Sequence, residues 1–444
     1  MAWGEEQIVA MWRAGLAAVD PAAAVRRALV REGEVLWVCG RRVELRDVRH
    51  IWVVGAGKAG GPMVVAVEEV LGERVTGGVV AVKERHVVPT RRVRLVEAPH
   101  PYPGQASLEA ARLIEAVADR AGAEDLVLCL FSGGGSALLT RPAAGITLGE
   151  LGMMNGALLA SGAPIDQVNT LRKHVSAIKG GQLARRIWPA RHITLLLSDV
   201  VGDAADVIAS GPTTPDPSTW ADAQAVITRY GLRERLPGSV LARVAAGVAG
   251  ELEDTPKPGD PVFEGAQVEV IAGCKIACEA AAARGAELGL QVHIETTTMA
   301  GEARAIGRAL VDAGRELAAK GDDVARCIIL GGESTVRLGG AAGRGGRNQE
   351  LALAALCAMR ERGDERIWVG AMTTDGTDGP TDVGGAIVSG AMVAQAEQVG
   401  VSLERALQCH DATPALGALG ALVRVGPTRT NVGDLVFLLV APTG

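Results

Sequence analysis

Short apolar runs that stop at glycine recur along this chain, and helical patterns fall between them. The run at 50–54 ends at Gly55, the run at 125–131 leads into Ser132-Gly133-Gly134-Gly135, and the run at 325–330 ends at Gly331-Gly332. A strand that is apolar along its whole length must be covered on both faces, and intervening helices supply that cover. Strands connected through helices lie parallel in one sheet. The alternation therefore restricts the chain to a layered α/β fold.

With 444 residues, the chain exceeds the usual size of a single core, and two domains are predicted. The first series has helices at 5–18 and 21–31 and a hairpin of 35–38 with 43–45. Strands follow at 50–54, 78–83, 93–96, 125–131 and 192–197. Helices are read from about 59, at 105–121, within 148–187, at 219–230 and at 239–250. The Pro-rich polar segment 253–261 reads as a linker, giving a Rossmann-like domain at 1–252 and a second α/β domain at 262–444. That second domain has strands at 268–272, 291–296, 325–330 and 367–373, with helices at 276–288, 301–319, 349–362 and within 390–412. Strands near 421–425 and 435–440 would close its sheet as a hairpin.

The charge balance excludes some functions. A net charge of −6 with a pI of about 5.8 argues against a nucleic-acid surface, and aromatics at 3% offer few stacking platforms. The sequence contains no 18-residue uncharged apolar run, so no membrane span is expected. The start, Met1-Ala-Trp-Gly-Glu5-Glu6, lacks the basic region and apolar core of a signal peptide. Seven cysteines without a Cys-x-x-Cys pair read as reduced thiols of a cytoplasmic protein.

Chemistry concentrates where strands end. Gly55-x-Gly57-Lys58-x-Gly60 has the dinucleotide spacing, with Glu84 near the end of the next strand. Lys58 suits a transferred phosphoryl group better than a nicotinamide; a tight turn carrying an exposed lysine is the plain alternative. Ser132-Gly133-Gly134-Gly135-Ser136 can form an anion-binding nest. Arg172, Ser176 and Lys179 would share one helix face. The loop Gly343–Glu350, before a helix for which Asn348 is a candidate N-cap, offers Arg347 and backbone N–H groups to an anion. Asp199 and Asp203 follow one strand, while Asp375 and Asp378 follow another. Acids at strand ends can hold Mg²⁺ or accept a hydroxyl proton.

In this order, the loops resemble the glycerate 2-kinase family, the class II glycerate kinases that carry a MOFRL domain. The likeness extends through His100-Pro101, Gly332-Glu333 and Thr428-Arg-Thr-Asn431-Val. The resemblance implies two α/β domains, the second of MOFRL type, with the active site in the cleft. It also implies phosphorylation of D-glycerate by ATP at the 2-hydroxyl. The family's catalytic lysine and arginine fall on Lys58 and Arg347. On this basis Ser132–Ser136 and Asp199 are assigned to nucleotide phosphates, and Asp199 and Asp203 to Mg²⁺. Asp375 or Asp378 would orient or deprotonate the hydroxyl, and Arg172, Lys179, Glu333 and Asn348 would contact substrate. Two other readings are an NAD(P)H-dependent hydroxypyruvate reductase, using the Gly55–Gly60 turn, and a non-catalytic anion-binding module. Neither oligomeric state nor a macromolecular partner is legible.

Overall fold

The computed structural model describes residues 3–321, 323–340, 343–361 and 365–443. The middle of the glycine-rich loop, at 341–342, and the helix end expected at 362 lie outside them. The chain divides into two compact units: Pro21–Ser198 with Ala204–Ile271, and Met1–Asp20 with Asp199–Asp203 and Ala272–Gly444.

The first unit contains a small antiparallel sheet of β1 (Leu29–Glu32), β2 (Val35–Val38) and β3 (Arg41–Glu44). Its main sheet comprises β4 (Ile51–Ala56), β5 (Val75–Lys83), β6 (Val93–Ala98), β7 (Leu126–Phe131), β8 (Arg191–Leu197) and β9 (Gln267–Ala272). The order is β6-β5-β4-β7-β8-β9, and the pairings from β6 through β8 are parallel. β4 and β7 are buried at every residue, as their unbroken apolar runs require. A separate core of Met154, Leu158, Leu171, Trp220, Val240 and Val244 packs the helices Leu148–Ala160, Ile165–His174, Trp220–Arg229 and Gly238–Val248 together.

The second unit has a mixed sheet of β10 (Gln291–Glu302), β11 (Arg326–Thr335), β12 (Ile367–Thr373), β13 (Gly385–Ser389), β14 (Leu422–Val423) and β15 (Asp434–Val440), ordered β10-β11-β15-β12-β13-β14. β14 and β15 do not form the expected hairpin: β15 lies between β11 and β12, antiparallel to both, and β14 pairs with β13. Asp434-Leu-Val-Phe-Leu-Leu-Val440 is buried throughout, which suits a central strand covered on two faces.

The domain limits also need correction. Residues 262–271 belong with the first unit, because β9 adds to the edge of its sheet beside β8. The first twenty residues belong with the second. Helix Trp3–Ala18 buries Gly4, Ile8, Met11, Trp12 and Gly15, a stripe on one helical face. A Cβ on Gly15 would stand 2.9 Å from Leu435 Cδ1 and 3.0 Å from the Ala277 carbonyl oxygen. Glycine thus lets this helix lie directly against β15 and helix Cys274–Glu287.

Candidate functional site

In the first unit, two glycine loops interlock at the carboxyl ends of the neighbouring strands β4 and β7. Lys58 N–H donates to the Gly133 carbonyl at 2.9 Å and Ser132 N–H to the Ala56 carbonyl at 3.1 Å. Ser132 Oγ accepts from Ala59 N–H at 3.1 Å. Gly57 faces that oxygen so closely that a Cβ would overlap it. The close approach expected for a pyrophosphate is therefore taken up by Ser132. Gly134 adopts φ +84°, and a Cβ there would lie 3.0 Å from the His100 ring and 3.3 Å from Lys58 Cγ. The glycine thus brings His100 and Lys58 against an open turn. Burial, then Lys58, Lys83 and His86, lower the His100 pKa to about 4, so its ring is neutral near pH 7.

Next to this turn lies a cavity of about 210 Å³, lined among others by His100, Gly134, Ser136, Arg141, Arg172 and Lys179. Helix Ile165–His174 supplies Arg172. The expected single helical face is not what gathers the cations, because that helix ends at His174, before Ser176 and Lys179. The chain bends there and brings Lys179 to the same cavity. Arg172 Nε donates to the neutral Asn155 Oδ1 at 2.8 Å. Lys179 Nζ donates to the carbonyls of Ser136 at 2.6 Å and Leu139 at 2.9 Å. Neither cation has a carboxylate partner among the described residues. Burial lowers the Arg172 pKa; burial, then the Arg172 charge, pull Lys179 down to about 7. Buried cations without counter-ions are costly, and an anion in the cavity removes that cost. Arg141, which the sequence did not single out, is paired with Glu115 at 3.1 Å.

In the second unit, a cavity of about 550 Å³ is lined by residues that include Glu333, Arg347, Asp375, Thr377, His410 and Asn431. Helix Arg347–Arg360 starts after Gly346, which occupies the N-cap position in place of Asn348. Asp378 does the capping from outside the helix. It accepts from the backbone N–H groups of Asn348 (3.1 Å) and Gln349 (2.9 Å) and from both side-chain amides. This satisfies donors that a helix start leaves open. Asp378 is 2% exposed and Asn348 0%, so Asn348 does not reach the cavity as a substrate contact. Asp375, which lines the cavity, instead collects its bonds from Thr373 Oγ1, Thr377 N–H and Thr377 Oγ1 on Oδ1 alone.

Arg347 is held in a fork. It donates to Asp434 at 2.6 and 3.0 Å and to Glu333 at 3.1 and 3.3 Å. Burial opposes its charge, but the Asp434 hydrogen bonds and charge outweigh burial and raise its pKa. Asp434 and His410 were missed in the sequence. Asp434 looks like the mere start of an apolar strand, and His410 becomes notable only through the fold, which sets its Nδ1 2.9 Å from both Arg304 and buried Glu350.

Asp203 adopts φ +54°. Its carboxylate abuts Gly273, at the start of helix Cys274–Glu287, and its buried Oδ1 has no hydrogen-bond partner. Asp199 has a partner of its own. No group of three or more His, Cys, Asp or Glu able to hold a metal occurs among the described residues, and the seven cysteines are free thiols. No single helix there is long and apolar enough to cross a membrane.

Comparison with known proteins matches both units. The profile of a domain of unknown function, DUF4147, matches residues 7–245, and that of the MOFRL family matches residues 326–434. A glycerate 2-kinase of Pyrococcus horikoshii is 38% identical over 95% of this chain and 94% of its own length. A relative from Agrobacterium vitis carries the provisional name hydroxypyruvate reductase and is 43% identical over 87% of this chain and 86% of its own. The crystal structure of a Thermotoga maritima glycerate kinase superposes with a TM-score of 0.87 at 34% identity, covering 99% of this chain and 100% of that one.

Proposed function

The chain belongs to the glycerate kinase family, and we propose that it catalyses ATP-dependent phosphorylation of D-glycerate at the 2-hydroxyl, giving 2-phosphoglycerate and ADP. The observation that carries this reading is a pair of cations, half-buried Arg172 and buried Lys179, without carboxylate partners beside an open glycine turn. Such a place recognises a small anion. Its volume of about 210 Å³ falls below the roughly 300–1,000 Å³ of pockets that take drug-sized ligands, which suits a three-carbon acid. The 550 Å³ cavity of the second unit falls within that range.

Phosphoryl transfer asks the protein chiefly for positioning and for compensation of charge. Lys58, which has no side-chain hydrogen bond among the described residues, is the cation for the transferring group. The turn Ser132–Ser136 holds a phosphate, with the Gly133 and Gly134 N–H groups as donors. Arg347 is the second cation of the reaction, held in orientation by Asp434 and Glu333. Asp375, whose hydrogen bonds fall on Oδ1, orients or deprotonates the hydroxyl, and Asp378 supports it by fixing the helix start.

Mg²⁺ is bound characteristically by one or two carboxylates together with water and substrate phosphates. The unpartnered Asp203 Oδ1 fits a single such ligand, with Asp199 nearby in sequence. When bound, the ion neutralises phosphate charge.

The reductase reading is disfavoured because the Gly57 approach and the Ala59 N–H are both used by Ser132, leaving a dinucleotide pyrophosphate without its cradle. Incubation with ATP, Mg²⁺ and D-glycerate should release ADP, whereas NADH and hydroxypyruvate should give no oxidation. Nicotinamide oxidation without ATP consumption would overturn the proposal.

A further inference from the structure

One contact in the first unit fixes which way a hydroxyl points. Ser210 Oγ donates to Asn169 Oδ1 at 3.2 Å and also lies 2.8 Å from Ser136 Oγ. A hydroxyl has one proton. With the Ser210 proton committed to Asn169, the proton in the serine–serine contact comes from Ser136. Ser136, on the cavity wall, therefore presents lone pairs to whatever binds there. The ionised oxygens of a carboxylate or a sulfate have no proton to give it. An alcohol does.

We propose that Ser136 is a specificity residue that accepts a hydrogen bond from a substrate hydroxyl, and that the cavity takes a small hydroxy acid whose carboxylate lies on Arg172. This rests on the kinase reading above and places the acceptor substrate within the first unit. It also revises the role of Ser136, which the sequence suggested as a donor to phosphate. Lys179 becomes a positioning residue: its ammonium spans the Ser136 and Leu139 carbonyls and fixes the backbone that carries the Ser136 hydroxyl.

The surrounding backbone supports this assignment. Ala209, Ser210 and Gly211 take φ of 52°, 61° and 60° in succession, a left-handed run costly for the two that carry a Cβ. It is held by Gly180 N–H on the Ser210 carbonyl (3.0 Å) and Gly181 N–H on the Gly211 carbonyl (2.7 Å). Its consequence is to deliver a fully buried Ser210 hydroxyl to Ser136. Asn169 and Arg172 stand three residues apart in helix Ile165–His174, so they share a face. One helix thus supplies the carboxylate contact and sets the direction of the hydroxyl chain.

The test uses the full-length enzyme, with D-glycerate and two acids that each lack one hydroxyl, lactate and 3-hydroxypropionate. Binding is measured by calorimetry, and KM is measured for D-glycerate and ATP. Ser136→Ala should weaken D-glycerate about tenfold, the usual effect of one hydrogen bond. It should leave unchanged the affinity for the analogue that lacks the recognised hydroxyl, and KM for ATP should not move. Ser210→Ala frees the Ser136 proton, so sulfate, which has no proton to donate, should compete better than it does with the unaltered enzyme. Equal weakening of all three acids, or a rise in KM for ATP with D-glycerate unaffected, would overturn the inference. D-Glycerate binding with the predicted pattern but without turnover would overturn the kinase reading alone.

Discussion

Arg172 should trade stability against function. Arg172→Met keeps an unbranched apolar stem of similar reach and removes the charge. In the ligand-free protein that guanidinium is half-buried, bonds a neutral amide oxygen and lacks a carboxylate, and burial depresses its pKa. Its removal should leave the Tm of the ligand-free protein unchanged or raised, since an uncompensated charge is withdrawn. Substrate binding should suffer. Hydrogen bonds to charged groups contribute about 1.5–3 kcal/mol, so KM for D-glycerate should rise roughly 10- to 150-fold at about 1.4 kcal/mol per tenfold. KM for ATP should stay within a factor of a few. Differential scanning fluorimetry without ligand, with steady-state kinetics for both substrates, reads all three quantities. An unchanged KM for D-glycerate, or a Tm loss of several degrees, would refute the idea that this charge awaits an anion.

Three further outcomes are expected. Lys179, with its pKa lowered to about 7 by burial and then Arg172, binds fewer protons folded than unfolded between that value and about 10.4. Its contribution to stability therefore rises with pH through this window. A bound anion favours the charged amine, so thermal stabilisation by sulfate, whose own charge is constant over this range, should be larger at pH 6 than at pH 8.5, and Lys179→Met should flatten the difference. Asp378→Asn leaves one acceptor for four donors and should cost about 1–3 kcal/mol in chemical denaturation; lost turnover at unchanged stability would instead make Asp378 catalytic. Arg347→Ala leaves Asp434, 0% exposed, without its partner and should cost about 3–5 kcal/mol. Adding Asp434→Asn should recover stability but not turnover; recovered turnover would show that Arg347 acts only through the fold.

The local signals in the sequence were strong where one strand or one turn decides the matter. The fully apolar runs that became β4, β7 and β15 had to be covered strands, and Lys58 and the triple glycine were visible as chemistry at strand ends. What stayed hidden depends on distant partners. The stripe Gly4-Ile8-Met11-Gly15 announces a buried face, but nothing in it says that the face meets Leu435 and Ala277. The alternation of 268–272 with the following helix looked like the start of a domain; pairing with β8 made it the edge of another. Arg172 and Lys179 were selected for a shared helical face that does not exist, because the helix ends at His174 and the irregular turn after it carries Lys179 to the cavity. Asp378 could not be told from Asp375 because only the fold reveals that one meets a helix start.

The most direct test is the identity of the product. Phosphorus NMR of a reaction containing the enzyme, Mg²⁺-ATP and D-glycerate should show ATP converted to ADP and one new phosphomonoester, matching authentic 2-phosphoglycerate on addition. A resonance matching 3-phosphoglycerate would contradict the assigned position of transfer. ATP left intact, with hydroxypyruvate reduced at the expense of NADH in a parallel sample, would contradict the account as a whole.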